Sequence, residues 1–158
     1  MQSGFKNILI VDDEGQLRNA MAQFLQHYGY QCFDASNVAE ALDILQTDLP
    51  DLVISDIVMP DTDGIQFMKT AKTSYPELDF IIMTGYSSIY SYVDIINAGA
   101  SDYMSKPFEM KELIARVERI ERERRILSEL TETNKQLEVA IEGEKEMAIK
   151  ADLASQAK

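Results

Sequence analysis

The chain opens on a continuous apolar run, Asn7-Ile8-Leu9-Ile10-Val11, that stops at Asp12-Asp13. A short run without polar alternation predicts a strand buried on both faces. Leu17, Met21, Phe24, Leu25 and Tyr28 then recur at helical spacing, and Gly29 stands where a helix stops. Tyr30 to Phe33 reads as a second strand. Ser36 is placed to cap a helix with apolar side Val38, Ala41, Leu42 and Leu45, and Glu40 lies near the capping-box position. After Pro50, Leu52-Val53-Ile54-Ser55 predicts a third strand ending at Asp56, and Pro60-Asp61-Thr62-Asp63-Gly64 is a loop by composition. Ile65, Phe67, Met68, Ala71 and Tyr75 line a third helix, closed by Pro76. Phe80-Ile81-Ile82-Met83 is a fourth strand ending at Thr84-Gly85. Ile89, Val93 and Ile96 mark a fourth helix, stopped at Gly99. Asp102-Tyr103-Met104 is a short fifth strand, followed by Lys106-Pro107.

Five strands alternating with helices predict a doubly wound parallel sheet, an α/β class. In such sheets ligands bind outside the carboxyl ends of the strands. The polar residues fall at those ends: Asp12 and Asp13 after strand 1, Asp56 after strand 3, Thr84 after strand 4, Lys106 after strand 5.

From Glu109 the period changes. Leu113, Val117, Ile120, Arg124, Leu127, Leu130, Asn134, Leu137 and Ile141 follow at steps of 4, 3, 4, 3, 3, 4, 3 and 4. Apart from the single 3-3 step this is a heptad seam, and that step would locally overwind a coiled coil. A helix over residues 109–153 would span about 65–70 Å, too long to pack on one small domain. Gly143 weakens such a helix by about 1 kcal/mol, so fraying is expected there. The expected organisation is a globular domain over 5–120 and a helical coiled-coil linker over 121–158, leading toward an output domain.

Composition refines this. The 158 residues carry a net charge of -12, of which residues 1–108 hold -10 and residues 109–158 hold -2. Neither part has the basic stripe of a nucleic-acid binder, so none is expected as partner. No apolar stretch approaches the ~20 residues that cross a bilayer, and no signal peptide is visible. One cysteine, Cys32, excludes an intramolecular disulfide and fits a cytoplasmic location. Cys32 is expected in the core and His27, the one histidine, at the surface.

Three carboxylates on one sheet edge repel one another unless a cation compensates. Magnesium suits such a site, because it takes oxygen ligands from one or two carboxylates plus a phosphate. A carboxylate can also attack phosphorus to give an aspartyl-phosphate. That reaction needs chiefly positioning and neutralisation of the phosphoryl oxygens, which Lys106 and the Thr84 hydroxyl can share. Singly, each residue also reads as a turn or a surface charge. Jointly, at the ends of four strands, they define a site.

The sequence resembles the response-regulator receiver family of two-component signalling over roughly residues 5–120. The matching text is Ile8-Leu9-Ile10-Val11-Asp12-Asp13-Glu14, Asp56-Ile57-Val58-Met59-Pro60-Asp61-Thr62-Asp63-Gly64, Met83-Thr84-Gly85-Tyr86 and Asp102-Tyr103-Met104-Ser105-Lys106-Pro107-Phe108. The resemblance implies a flavodoxin-like fold with strand order 2-1-3-4-5, and Asp56 as phospho-acceptor. It implies magnesium bound directly by Asp13 and Asp56, with Asp12 helping through water and the Val58 carbonyl completing the ligands. Thr84 and Tyr103 take the switch positions, Lys106 the conserved-lysine position, and the Lys106-Pro107 bond is expected to be cis. Val58 and Tyr86 flank the path of the hydrolytic water, which implies slow loss of the phosphoryl group. The implied partner is a histidine kinase or phosphotransfer protein. No enzymatic activity is expected beyond self-catalysed phosphoryl transfer and autodephosphorylation.

In the family mechanism Thr84 moves toward the phosphoryl group and Tyr103 turns inward, changing the surface of helix 4, strand 5 and helix 5. Here helix 5 runs into the heptad segment, so a homodimer through the C-terminal helix is expected. Residues Lys145 to Lys158 resemble the stretch before the phospho-acceptor helix of sensor histidine kinases, which implies a histidine-kinase output. A receiver feeding a cyclic-dinucleotide enzyme, and a dimerisation adaptor with an inactive site, are alternatives. A haloacid-dehalogenase-type phosphatase is disfavoured, since Asp56-Ile57-Val58 lacks the second Asp of the Asp-x-Asp pair.

Overall fold

The computed structural model describes residues 4–85 and 89–156. The chain divides into two compact units, one spanning Phe5–Glu121 and the other containing the residues from Arg122 on. The first unit holds β1 (Asn7–Val11), α1 (Gly15–His27), β2 (Gln31–Ala35), α2 (Val38–Thr47), β3 (Leu52–Asp56), α3 (Gly64–Ser74), β4 (Asp79–Thr84), α4 (Tyr92–Asn97) and β5 (Asp102–Ser105). It also holds the start of α5 (Met110–Gln156). All strand pairs are parallel, in the order β2-β1-β3-β4-β5, which bears out the expected doubly wound, flavodoxin-like sheet.

The apolar runs are continuous because successive strand residues feed two different cores. Leu9, Val11, Val53, Phe80 and Ile82 face α2, α3 and α4. Ile8, Ile10, Ile54, Ile81 and Met83 face Met21 and Leu25 of α1 and Leu113, Val117 and Ile120 of α5. At about 25 cal/mol per Å² of apolar surface, this two-sided burial is what holds the strand ends in place. Phe67 and Phe80 meet edge to face with ring centroids 5.6 Å apart, the favoured aromatic geometry. Gly29 and Gly99 take φ of +95° and +119°, the left-handed conformation that terminates α1 and α4 without a Cβ penalty.

Three local expectations are corrected. The α2 cap is Asn37, whose side chain accepts the Glu40 N–H at 2.8 Å, and not Ser36. Ser36 instead gives its N–H and hydroxyl to the Glu40 carboxylate. On α4 the buried residue is Ile95, while Ile89 and Val93 are exposed. A six-residue helix makes too few turns for spacing to fix its face, and the capping box of Ser91 and Asp94 sets its start instead. Finally, α5 runs through Gly143 to Gln156 without a break; one glycine costs less than the hydrogen bonds on either side sustain.

A long-range cap also appears. Asp61, in the β3–α3 loop, accepts the N–H groups of Val38 and Ala39 at 3.1 and 3.0 Å. These are orphan donors at the N-terminus of α2, and they hold the Asp61 carboxyl below its usual range. Asp61→Ala is expected to lower the melting temperature by a few degrees. A depressed folded pKa contributes stability above the unfolded value of about 3.9. The difference between wild type and variant should therefore persist at neutral pH and shrink as pH falls through the lowered pKa. Melts of both proteins from pH 7 to pH 3 check this.

Candidate functional site

The carboxyl ends of β1, β3, β4 and β5 bring the site together. Asp12 and Asp56 are buried and Asp13 is exposed, and oxygens of the three lie within 4.8 Å of one another. Lys106 Nζ lies 2.8 Å from Asp12 Oδ2 and 2.8 Å from Asp56 Oδ2. One ammonium thus bridges the two buried carboxylates, which is how buried charge becomes tolerable. Burial pulls the Lys106 pKa down, but the hydrogen bonds and charges of Asp12 and Asp56 outweigh it, and the net direction is up. The lysine is therefore charged at neutral pH. The peptide Lys106-Pro107 is cis.

Backbone groups complete the cradle. Asp12 Oδ1 accepts the Glu14 N–H at 2.8 Å, and Asp56 Oδ1 accepts the Val58 N–H at 3.3 Å. Val58 itself is 61% exposed at the mouth of the site. Thr84 is buried, and its hydroxyl donates to the Met104 carbonyl at 3.4 Å rather than to Asp56. Tyr103 is half-buried, its ring 4.9 Å from that of Tyr92 at 50°. Tyr86 lies outside the described residues. The donor set of three carboxylates is hard oxygen chemistry and fits a divalent cation such as magnesium.

Sequence reasoning missed Arg18. Its Nη1 donates to the Asp12 carbonyl at 2.7 Å and its Nε to Asp34 at 2.7 Å, tying the end of β1 to β2. An arginine on a helix carries no sequence signal for such a contact. His27 is exposed, and Cys32 is half-buried. Burial pushes the Cys32 thiol up to about 11, so it is not a thiolate at neutral pH.

A doubly wound 2-1-3-4-5 sheet with carboxylates and a lysine gathered at its carboxyl edge has the architecture of a CheY-like signalling domain. The chain belongs to the response regulator receiver domain family, whose model matches residues 8–118. It is 37% identical to the DNA-binding transcriptional regulator NtrC of Proteus hauseri over 119 residues, 75% of this chain and 25% of that protein. It is 36% identical to the response regulator MprA of Mycolicibacterium vanbaalenii over 110 residues, 70% of this chain and 48% of that protein. A CheY-like receiver domain from Methanospirillum hungatei JF-1 matches with a TM-score of 0.71 at 31% identity, over 75% of this chain and 95% of that one. The receiver domain of NtrX from Brucella abortus matches with a TM-score of 0.67 at 33% identity, over 71% of this chain and 95% of that one. The chain thus spans a quarter to about half of the length of these curated relatives. Among the described residues no helix is long and apolar enough to cross a membrane.

Proposed function

We propose that Asp56 accepts a phosphoryl group from a phosphohistidine on a histidine kinase or phosphotransfer protein. The observation that carries this reading is the Lys106 ammonium bridging Asp12 and Asp56 at 2.8 Å. An Asp56 oxygen attacks phosphorus as the bond to the donor imidazole breaks. In this reading Lys106 neutralises a phosphoryl oxygen, and Thr84 donates its hydroxyl to another once it leaves Met104. Asp12, Asp13, Asp56 and the Val58 carbonyl are the residues that would hold magnesium, which would supply further charge neutralisation for the phosphoryl oxygens. The test is incubation with acetyl phosphate and magnesium followed by intact mass: one phosphoryl adduct is expected on the wild type. No adduct would favour a dimerisation adaptor with an inactive site.

A cation that binds only the folded state raises its stability by mass action, about 2.7 kcal/mol at a hundredfold excess over Kd. Added magnesium should raise the melting temperature of the wild type. Asp13→Asn, at an exposed position, should fold normally and lose most of that rise; an undiminished rise would remove Asp13 from the ligand set.

Phosphorylation would bias Thr84 and Tyr103, and through them the face of α4, β5 and α5. Leu127, Leu130, Leu137 and Ile141 of α5 are 45–57% exposed, and we assign them to a homodimeric coiled coil. Replacing Leu130 and Leu137 together by Glu should turn a dimer into a monomer in analytical ultracentrifugation. For the output, the resemblance of Lys145 to Lys158 to the segment before a kinase phospho-acceptor helix supports a histidine kinase. The name of the relative NtrC, a DNA-binding transcriptional regulator, favours a DNA-binding output as the second reading. The domain composition of the full-length gene product distinguishes these two and a cyclic-dinucleotide enzyme.

A further inference from the structure

Among the described residues, a hydrogen bond joins the loops that follow β3 and β4. The Tyr90 hydroxyl donates to Asp63 Oδ2 at 3.0 Å. Asp63 is also the cap of α3, its other oxygen accepting the Gln66 N–H at 2.7 Å. Tyr90 immediately precedes Ser91, the cap of α4. The bond therefore ties the starts of two helices to each other.

Both ends of this tie lead to the site. Gly64, next to Asp63, lies so close to β3 that an added Cβ would sit 2.0 Å from the Asp56 carbonyl oxygen. Its N–H donates to the Ile57 carbonyl at 2.7 Å. The backbone that carries Asp63 is thereby held against the strand that carries Asp56. At the other end, Tyr92 in the first turn of α4 packs its ring against that of Tyr103, tilted at 50°. In this same arrangement Thr84 gives its hydroxyl to Met104 and not to Asp56.

We infer that Tyr90 is a positioning residue: its bond to Asp63 latches α4 in the resting arrangement and opposes the switch of Thr84 and Tyr103. A contact made in one of two states shifts their balance by its own free energy. Losing the latch raises the population of the switched state, and with it the rate at which Asp56 takes a phosphoryl group. The inference rests on Asp56 as acceptor for its rate arm, and on α4 alone for its exchange arm.

The test compares wild type, Tyr90→Phe, Asp63→Ser and the double variant. Phenylalanine keeps the ring and removes the hydroxyl; serine still caps α3 but is too short to reach Tyr90. The first readout is hydrogen exchange of unphosphorylated α4 amides, over residues 92–98. The second is the initial rate of phosphorylation by acetyl phosphate with magnesium. Each single variant should speed both by about two- to tenfold, the span of the net contribution of one typical hydrogen bond, and the double variant should add little. Unchanged exchange, or slower phosphorylation in Tyr90→Phe, would overturn the latch. A wild type that takes no phosphoryl group would sink the acceptor reading, while faster exchange in both single variants would still uphold the latch.

Discussion

Asp56→Asn should take up no phosphoryl group from acetyl phosphate while melting within a few degrees of the wild type. The amide nitrogen and carbonyl of Asn are no nucleophile toward phosphorus at neutral pH, so transfer falls to background. The fold should persist because the substitution is isosteric at a site that is 7% exposed. Asn Oδ1 can still accept the Val58 N–H that Asp56 Oδ1 now takes at 3.3 Å. It also removes one of three clustered carboxylates and leaves Lys106 paired with Asp12 at 2.8 Å. Loss of repulsion and loss of an ion pair thus offset each other in stability. Intact mass after a timed incubation reads the chemistry, and a thermal melt in metal-free buffer reads the fold. A full adduct on Asp56→Asn would move the acceptor elsewhere.

Gly64→Ala should be the most damaging single methyl in the domain. Its Cβ would lie 2.0 Å from Asp56 O, 2.9 Å from Asp56 C and 3.1 Å from the Ile57 Cα. All three are backbone atoms next to a buried strand, so no side chain can turn aside. The start of α3 would have to move, breaking the Gly64 N–H bond to Ile57 at 2.7 Å and displacing the Asp63 cap. Overpacking of this kind costs about 3 kcal/mol or more, which for a domain of this size is a fall of roughly 10–20 °C in melting temperature. Circular dichroism melts check it. A fall of only a degree or two would mean that the loop relaxes freely, and that Gly64 is not held against Asp56.

Much of the sheet was legible because a buried strand must be apolar and its end must not be. Ile8 to Val11, Leu52 to Ser55 and Phe80 to Met83 announce themselves by composition, and Asp12, Asp56 and Thr84 by ending those runs. α4 was less legible. In Tyr92–Asn97 three aliphatic residues compete for one inward direction, and contact with the sheet chooses Ile95. The Asp61 cap on α2 joins residues 22 and 23 apart, a distance over which pattern carries no information. The Tyr90–Asp63 bond, spanning 27 residues, escaped for the same reason.

By itself, then, the sequence determined a parallel doubly wound sheet and the edge on which its acidic residues gather. Burial sets composition locally, and right-handed β-α-β connection places every strand end on one side. Only the tertiary structure decided the partners within that edge. Lys106 lies 50 residues from Asp56 and 94 from Asp12, and its 2.8 Å contacts with both depend on β5 sitting beside β4. The same holds for Gly64 against Asp56 and for Thr84 turned toward Met104: side-chain direction and close approach are settled by packing, which no local periodicity encodes.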